Sequence, residues 1–218
     1  MFEAVIFDWD GTLGDTRQAI VIAFQKALSE IDCRVSDEFI ERRIGIGAAD
    51  TFRDILLEAK IQPNVEIVSR LVDRKSYWEI ELADLVKLFP CAESVLLELH
   101  GKVKMGLASM NNLSVIRHLL KAKGLENYFD VVLTAESISR SKPDPEIFLM
   151  TAAQLGVNPE SCVVVEDSVF GVKAARSAGM GCVAVTTGVY SSLELEAEKP
   201  SLIVKNLCDK RITSFILG

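Results

Sequence analysis

Five short apolar runs, separated by stretches of helical spacing, constrain the fold of this chain most. They are Val5-Ile6-Phe7, Val103 to Ala108, Val131-Val132-Leu133, Cys162 to Val165 and Cys182 to Val185. They are rich in valine and show no polar alternation. A strand with one wet face alternates, whereas an unbroken apolar strand is covered on both faces, as in a parallel sheet. The covering helices are visible between the runs. Val95, Leu96 and Leu99 share a face, as do Val115, Leu119 and Ala122. Ile147, Phe148, Thr151, Ala152 and Leu155 form a stripe ending at Gly156, and Val169, Val172, Ala175 and Ala178 one ending at Gly179. Glycine after the last apolar position is a helix stop. Strand and helix in alternation predict an α/β fold, a Rossmann-like doubly wound parallel sheet.

The second strand comes late. From residue 15 to residue 86 the periodicity is helical throughout. The stripes are Ile20, Phe24, Ala27, Leu28 and Ile31, then Phe39, Ile40, Arg43 and Ile44, then Phe52, Ile55, Leu56 and Ala59, then Ile67, Leu71, Tyr77, Trp78 and Ile80. An insert of about seventy residues far exceeds ordinary loop length. The expectation is a small helical domain over 15–86, inserted into a core made of 1–14 and 87–218.

Ligands of an open parallel sheet sit beyond the carboxyl ends of its strands. Asp8, Asp10, Gly11 and Thr12 follow the first run, and Ser109, Met110 and Asn111 the second. Lys142 lies in the connection after the third, and Glu166 and Asp167 follow the fourth. Singly, each has a bland explanation as a turn residue, helix cap or exposed charge. Together they make one chemical site. Clustered carboxylates repel one another and take up protons unless a cation neutralises them. Hard oxygen ligands without His or Cys favour Mg²⁺, which commonly meets a phosphate. Lys142 adds a positive charge, Ser109 a neutral donor, and N–H groups near Gly11 a cradle for phosphate oxygens. A carboxylate attacking phosphorus forms an aspartyl-phosphate, and a second acid two residues on serves proton transfer.

Composition excludes other classes. A net charge of −7 argues against a broad nucleic-acid or anionic-membrane surface. No apolar stretch approaches the roughly 18 residues of a membrane span. Acids at positions 3, 8 and 10 do not suit a signal peptide, so a cytoplasmic location is expected. The five cysteines are widely spaced, without CxxC or a His pair, and are expected to be buried small hydrophobes rather than disulfides or zinc ligands. His100 and His118 fall on core helices away from the site.

Asp8-Trp9-Asp10-Gly11-Thr12 resembles the first motif of the haloacid dehalogenase superfamily, DxDGT. Ser109 resembles its second motif, Lys142 its third and Glu166-Asp167 its fourth, and the helical insert stands where that family carries its cap. The resemblance covers nearly the whole chain and implies roles. Asp8 is the nucleophile and a metal ligand. Asp10 is the general acid/base, with its carbonyl on the metal. Asp167 is a metal ligand, and Glu166 acts directly or through water. Ser109 and Lys142 hold the phosphoryl group. Dehalogenases lack the second Asp, so a haloacid substrate is not implied. Met110 before Asn111 departs from the usual second motif.

The insert resembles the caps of phosphoglycolate phosphatases and β-phosphoglucomutases. Arg42-Arg43-Ile44-Gly45-Ile46-Gly47 resembles their substrate loop, with Arg43 and Gly47 as candidate substrate contacts. DGT, and no histidine between Thr16 and Ile31 where mutases tend to carry one, favour hydrolysis. The resemblance therefore implies a Mg²⁺-dependent phosphatase for a small anionic ester such as 2-phosphoglycolate, working as monomer or homodimer. The alternatives are a sugar-phosphate mutase and a catalytically silent binding protein on the same fold. A phospho-receiver module would place the acidic pair after the first strand and the phosphoacceptor later, an order this chain does not have.

Overall fold

A computed structural model describes residues 1–218. In chain order the elements are β1 (Ala4–Phe7), β2 (Gly14–Asp15), α1 (Arg17–Ser29), α2 (Asp37–Glu41), α3 (Ala48–Glu58), α4 (Val65–Glu81) and β3 (Lys87–Leu88). There follow α5 (Ala92–Leu99), β4 (Lys104–Ala108), α6 (Leu113–Lys123), β5 (Val131–Leu133), α7 (Glu146–Leu155) and β6 (Cys162–Glu166). The chain closes with α8 (Val169–Ser177), β7 (Gly181–Val185), α9 (Ser192–Ala197), β8 (Leu202–Val204) and α10 (Arg211–Leu217).

Six strands form one sheet in the order β5-β4-β1-β6-β7-β8, and every pairing is parallel. Because side chains alternate along a strand, each apolar run feeds two cores. Val5 and Phe7 of β1, Val163 and Val165 of β6, and Val183 and Val185 of β7 enter a layer shared with α5, α6 and α10. Ala4 and Ile6, Cys162 and Val164, and Cys182 and Ala184 enter the opposite layer with α7, α8 and α9. The missing polar alternation is thus explained: neither face meets water. The sixth strand, β8, is a three-residue edge strand that the valine pattern does not announce.

Helices α1 to α4 enclose an apolar cluster of their own, running from Ile20 to Leu71 and including the Phe24 and Phe52 rings, which pack at a tilt of 42°. The insert joins the core through the two short antiparallel strands β2 and β3. One stripe differs from expectation. On α4 the buried residues are Val68, Leu71, Lys75, Ser76 and Glu79, while Tyr77 is exposed. The polar half of that face is turned toward the sheet edge rather than toward the insert's own core.

No helix is long and apolar enough to cross a membrane. Cys33, Cys162 and Cys182 are free and buried, as expected for small hydrophobes. Cys91 and Cys208 instead form a disulfide, which corrects the expectation for that pair. It ties the start of α5 to the loop before α10, across 117 residues of sequence. Nothing in such a spacing marks two cysteines as neighbours; the packing of α5 beside α10 brings them together.

Candidate active site

The carboxyl edge of the sheet gathers Asp8 beyond β1, Ser109 beyond β4, Lys142 from the β5–α7 connection, and Glu166 and Asp167 at the end of β6. All five are buried. Lys142 is their hub. Its ammonium lies 2.7 Å from Asp8 Oδ1, 2.7 Å from Glu166 Oε1 and 3.2 Å from the Ala108 carbonyl. Burial pulls the Lys142 pKa down, but the carboxylates of Asp8 and Glu166 overcome it and hold the residue firmly protonated. Asp8 Oδ2 accepts no hydrogen bond from the protein, so one oxygen is oriented by Lys142 and the other is open.

Glu166 is fully engaged. Besides Lys142 it accepts, at Oε2, from the main-chain N–H groups of Asp167 and Ser168 and from the Ser168 hydroxyl. Asp167 is fixed by the Thr12 hydroxyl, which donates to Oδ1 at 3.1 Å. Backbone crowds its other oxygen. Gly11, at φ +86, approaches so closely that a Cβ there would fall 2.2 Å from Asp167 Oδ2.

The carboxylates of Asp8, Glu166 and Asp167 come within 4.8 Å of one another. Three acids face one ammonium, and burial, the largest effect, pushes the pKa values of Asp8 and Asp167 well up. An all-oxygen, over-negative, buried donor set fits a hard divalent cation. Glu166, with both oxygens already bonded, is better suited to an indirect contact than a direct one.

The two turn residues expected to cradle phosphate do something else. Gly11 N–H donates to the Gly14 carbonyl and Thr12 N–H to the Trp9 carbonyl, so both serve the turn, and the Thr12 side chain serves Asp167. The main-chain N–H groups of Trp9, Asp10 and Met110 have no acceptor in the protein. Those donors stand beside Asp8 and Ser109.

Asp10 sits under the helical insert. Its Oδ2 accepts from Ser109 Oγ at 3.3 Å, while its Oδ1 is buried without a partner. Burial raises its pKa, and Lys75 of α4 opposes the rise. Lys75 also donates to Asn111 Oδ1 at 3.1 Å and pairs with Glu79 at 2.7 Å, and Asn111 Nδ2 donates to Glu79 Oε1 at 3.1 Å. Asn111 is therefore held to α4. Lys75 and Glu79 were not singled out from the sequence, because opposite charges four apart on a helix ordinarily mark a solvated face. Their side chains are only 4% exposed.

A cavity of about 30 Å³ lies over Asp10, walled by Ile20, Phe24, Ile44, Met110, Lys75 and Asn111, with Arg43 and Gly47 at its rim. Gly47, at φ +112, lets the insert meet the core: a Cβ there would stand 3.0 Å from Met110 Cε. Arg43 is stacked 3.5 Å over the Phe39 ring and paired with Asp54 at 3.3 Å. Arg42 reaches across to α9, where it pairs with Glu194 at 2.5 Å and lies over Tyr190, whose hydroxyl donates to the Arg42 carbonyl. These contacts hold the insert down on the sheet edge. His100 and His118 are exposed and remote, as expected.

Acids and a lysine thus converge at successive strand ends of a parallel α/β sheet, beneath a helical insert. The chain belongs to the haloacid dehalogenase-like hydrolases, whose family model matches residues 5–185. It is 32% identical to the fructose-1-phosphate phosphatase YqaB of Escherichia coli over 187 residues, covering 84% of this chain and 96% of that one. It is 30% identical to the β-phosphoglucomutase of Bacillus subtilis over 192 residues, covering 85% and 84%. A solved hydrolase from Pseudomonas syringae superposes with a TM-score of 0.90 at 25% identity, over 99% of this chain and 100% of that one.

Proposed function

We propose that this protein is a Mg²⁺-dependent phosphatase that hydrolyses small phosphate monoesters through an aspartyl-phosphate on Asp8. The observation that carries the proposal is the state of Asp8: one oxygen is held by Lys142 and the other has no donor in the protein. In this scheme the Asp8 oxygen attacks phosphorus, and Ser109, Lys142 and the free N–H groups of Trp9, Asp10 and Met110 hold the phosphoryl oxygens. Asp10 Oδ1 gives its proton to the leaving oxygen and then takes one from the water that cleaves the aspartyl-phosphate. Raised by burial, Asp10 is suited to carry that proton. Asp8, Asp167 and the Asp10 main-chain carbonyl would hold Mg²⁺, with Glu166 acting through a bound water. When bound, the ion supplies positive charge to the phosphoryl oxygens. We further propose that residues 15–86 act as a cap that opens to admit substrate and closes to exclude water.

Two features favour hydrolysis over a mutase outcome. Ile20 lines the cavity on the helix where mutases tend to carry a histidine, and the fructose-1-phosphate phosphatase relative aligns over 96% of its length. A test follows phosphate release and substrate loss together, with Mg²⁺ present. Phosphate release matching substrate loss supports the phosphatase; substrate loss without phosphate supports a mutase. Asp8→Asn is expected to lower turnover at least about 10³-fold while leaving the circular dichroism spectrum unchanged. Folded Asp8→Asn protein with wild-type turnover would exclude Asp8 as nucleophile.

A further inference from the structure

Resting on the phosphatase reading, we infer that the leaving group is a small neutral hydroxylated alcohol, and that Glu79 sets this preference by cancelling the charge of Lys75. The sequence expectation of an anionic ester depends on a free cation in the cap. None is free. Arg42 is bound to Glu194, and Arg43 to Asp54 and the Phe39 face. Lys75, the buried cation of the cavity, is bound to Glu79.

The Lys75–Glu79 pair differs from the arginine pairs in being buried. A buried pair of opposite charges is held firmly, because releasing either partner leaves an uncompensated charge out of water. Asn111 locks it further by accepting from Lys75 and donating to Glu79. One N–H is donated to Asn111 and the charge is matched by Glu79 at 2.7 Å, so the ammonium meets the cavity as a hydrogen-bond donor without an unmatched charge. That is enough for one hydroxyl oxygen. It is poor compensation for a carboxylate, which would also face Asp10 across the same space. Of the other lining residues, Ile20, Phe24, Ile44 and Met110 are apolar, and Arg43 is already paired with Asp54. Glu79 is thus a positioning residue that acts through Lys75 and decides which leaving groups the site accepts.

Two esters of the same size separate the possibilities: 2-hydroxyethyl phosphate, which ends in CH₂OH, and 2-phosphoglycolate, which ends in a carboxylate. With Mg²⁺, the wild-type kcat/KM is expected to favour the hydroxyl ester by at least about tenfold. Glu79→Gln keeps the shape and the Asn111 contact but frees the Lys75 charge. It is expected to shift the ratio toward 2-phosphoglycolate by about tenfold or more, and Glu79→Asp to restore the wild-type preference. A merely structural role for Glu79 would lower both activities and leave their ratio unchanged, which would overturn the inference. So would a wild-type preference for 2-phosphoglycolate with phosphate still released, an outcome that leaves the phosphatase standing. Binding of the two esters to Asp8→Asn protein, by calorimetry with Mg²⁺, reads the same preference without turnover. If neither ester is hydrolysed yet binding follows the predicted order, the phosphatase reading falls and the selectivity stands. Equal binding, or tighter binding of 2-phosphoglycolate, overturns the inference.

Discussion

Two buried lysines serve the site, one from the core and one from the helical insert, and their surroundings differ in one respect that governs it. Lys142, in the core, meets Asp8 and Glu166, with Asp167 beside them. Lys75, in the helical insert, has Glu79 as its one ion-pair partner, with Asp10 feeling its charge from the core side. The core wall therefore carries three carboxylates against one ammonium, an excess of two negative charges, whereas the insert's pair is balanced. Isolated buried charge is expensive. An unbalanced cluster asks for a further cation, and a balanced pair asks for nothing. One wall is built to recruit a divalent ion and a phosphate, and the other to close over a neutral remainder.

The largest effect is expected where the imbalance is worst. Lys142→Met removes the one cation of the core wall and leaves Asp8 and Glu166 facing each other. Breaking such a buried arrangement costs at the upper end of about 3–5 kcal/mol. Urea unfolding of the metal-free protein measures it, and phosphate release is expected to be lost with it. Unchanged stability would mean that the core carboxylates are not charged together.

On the insert side the effect is smaller and reversible by design. Lys75→Met strands Glu79 in the same way, at the lower end of about 3–5 kcal/mol. Removing both charges, in Lys75→Met with Glu79→Leu, is expected to recover stability to within about 1–2 kcal/mol of wild type, the residue reflecting the lost Asn111 contact. A double variant no more stable than the single one would show that the pair is not balanced by itself.

Much of this contrast is legible in the sequence, and the rest is hidden for definite reasons. The valine-rich runs place five of the six strands. The residues after them, Asp8, Asp10, Ser109, Lys142, Glu166 and Asp167, do meet at one edge, because parallel strands carry their carboxyl ends to the same side. The insert's wall stays hidden. Lys75 and Glu79 sit at a helical spacing that ordinarily faces water, and only the docking of α4 on Asn111 buries them. The N–H groups of Gly11 and Thr12 close the turn, and composition does not tell which N–H a tight turn consumes. The Cys91–Cys208 bridge is invisible for a similar reason: it depends on packing across 117 residues.

The central claim is the charge imbalance at the core wall, and a melting experiment addresses it most directly. Burial raises the Asp8 and Asp167 carboxyls above their ordinary value of 3.8. The folded, metal-free protein therefore binds more protons than the unfolded chain, and this contribution to stability declines as pH rises above 3.8 through the raised values. Mg²⁺ competes with those protons for the same oxygens and stabilises the fold in proportion to its occupancy. The gain in Tm on adding Mg²⁺ is thus expected to be larger near pH 8 than near pH 5. Asp167→Asn, which removes one of the excess charges, is expected to diminish it. No gain at either pH, or an equal gain at both, would contradict the account.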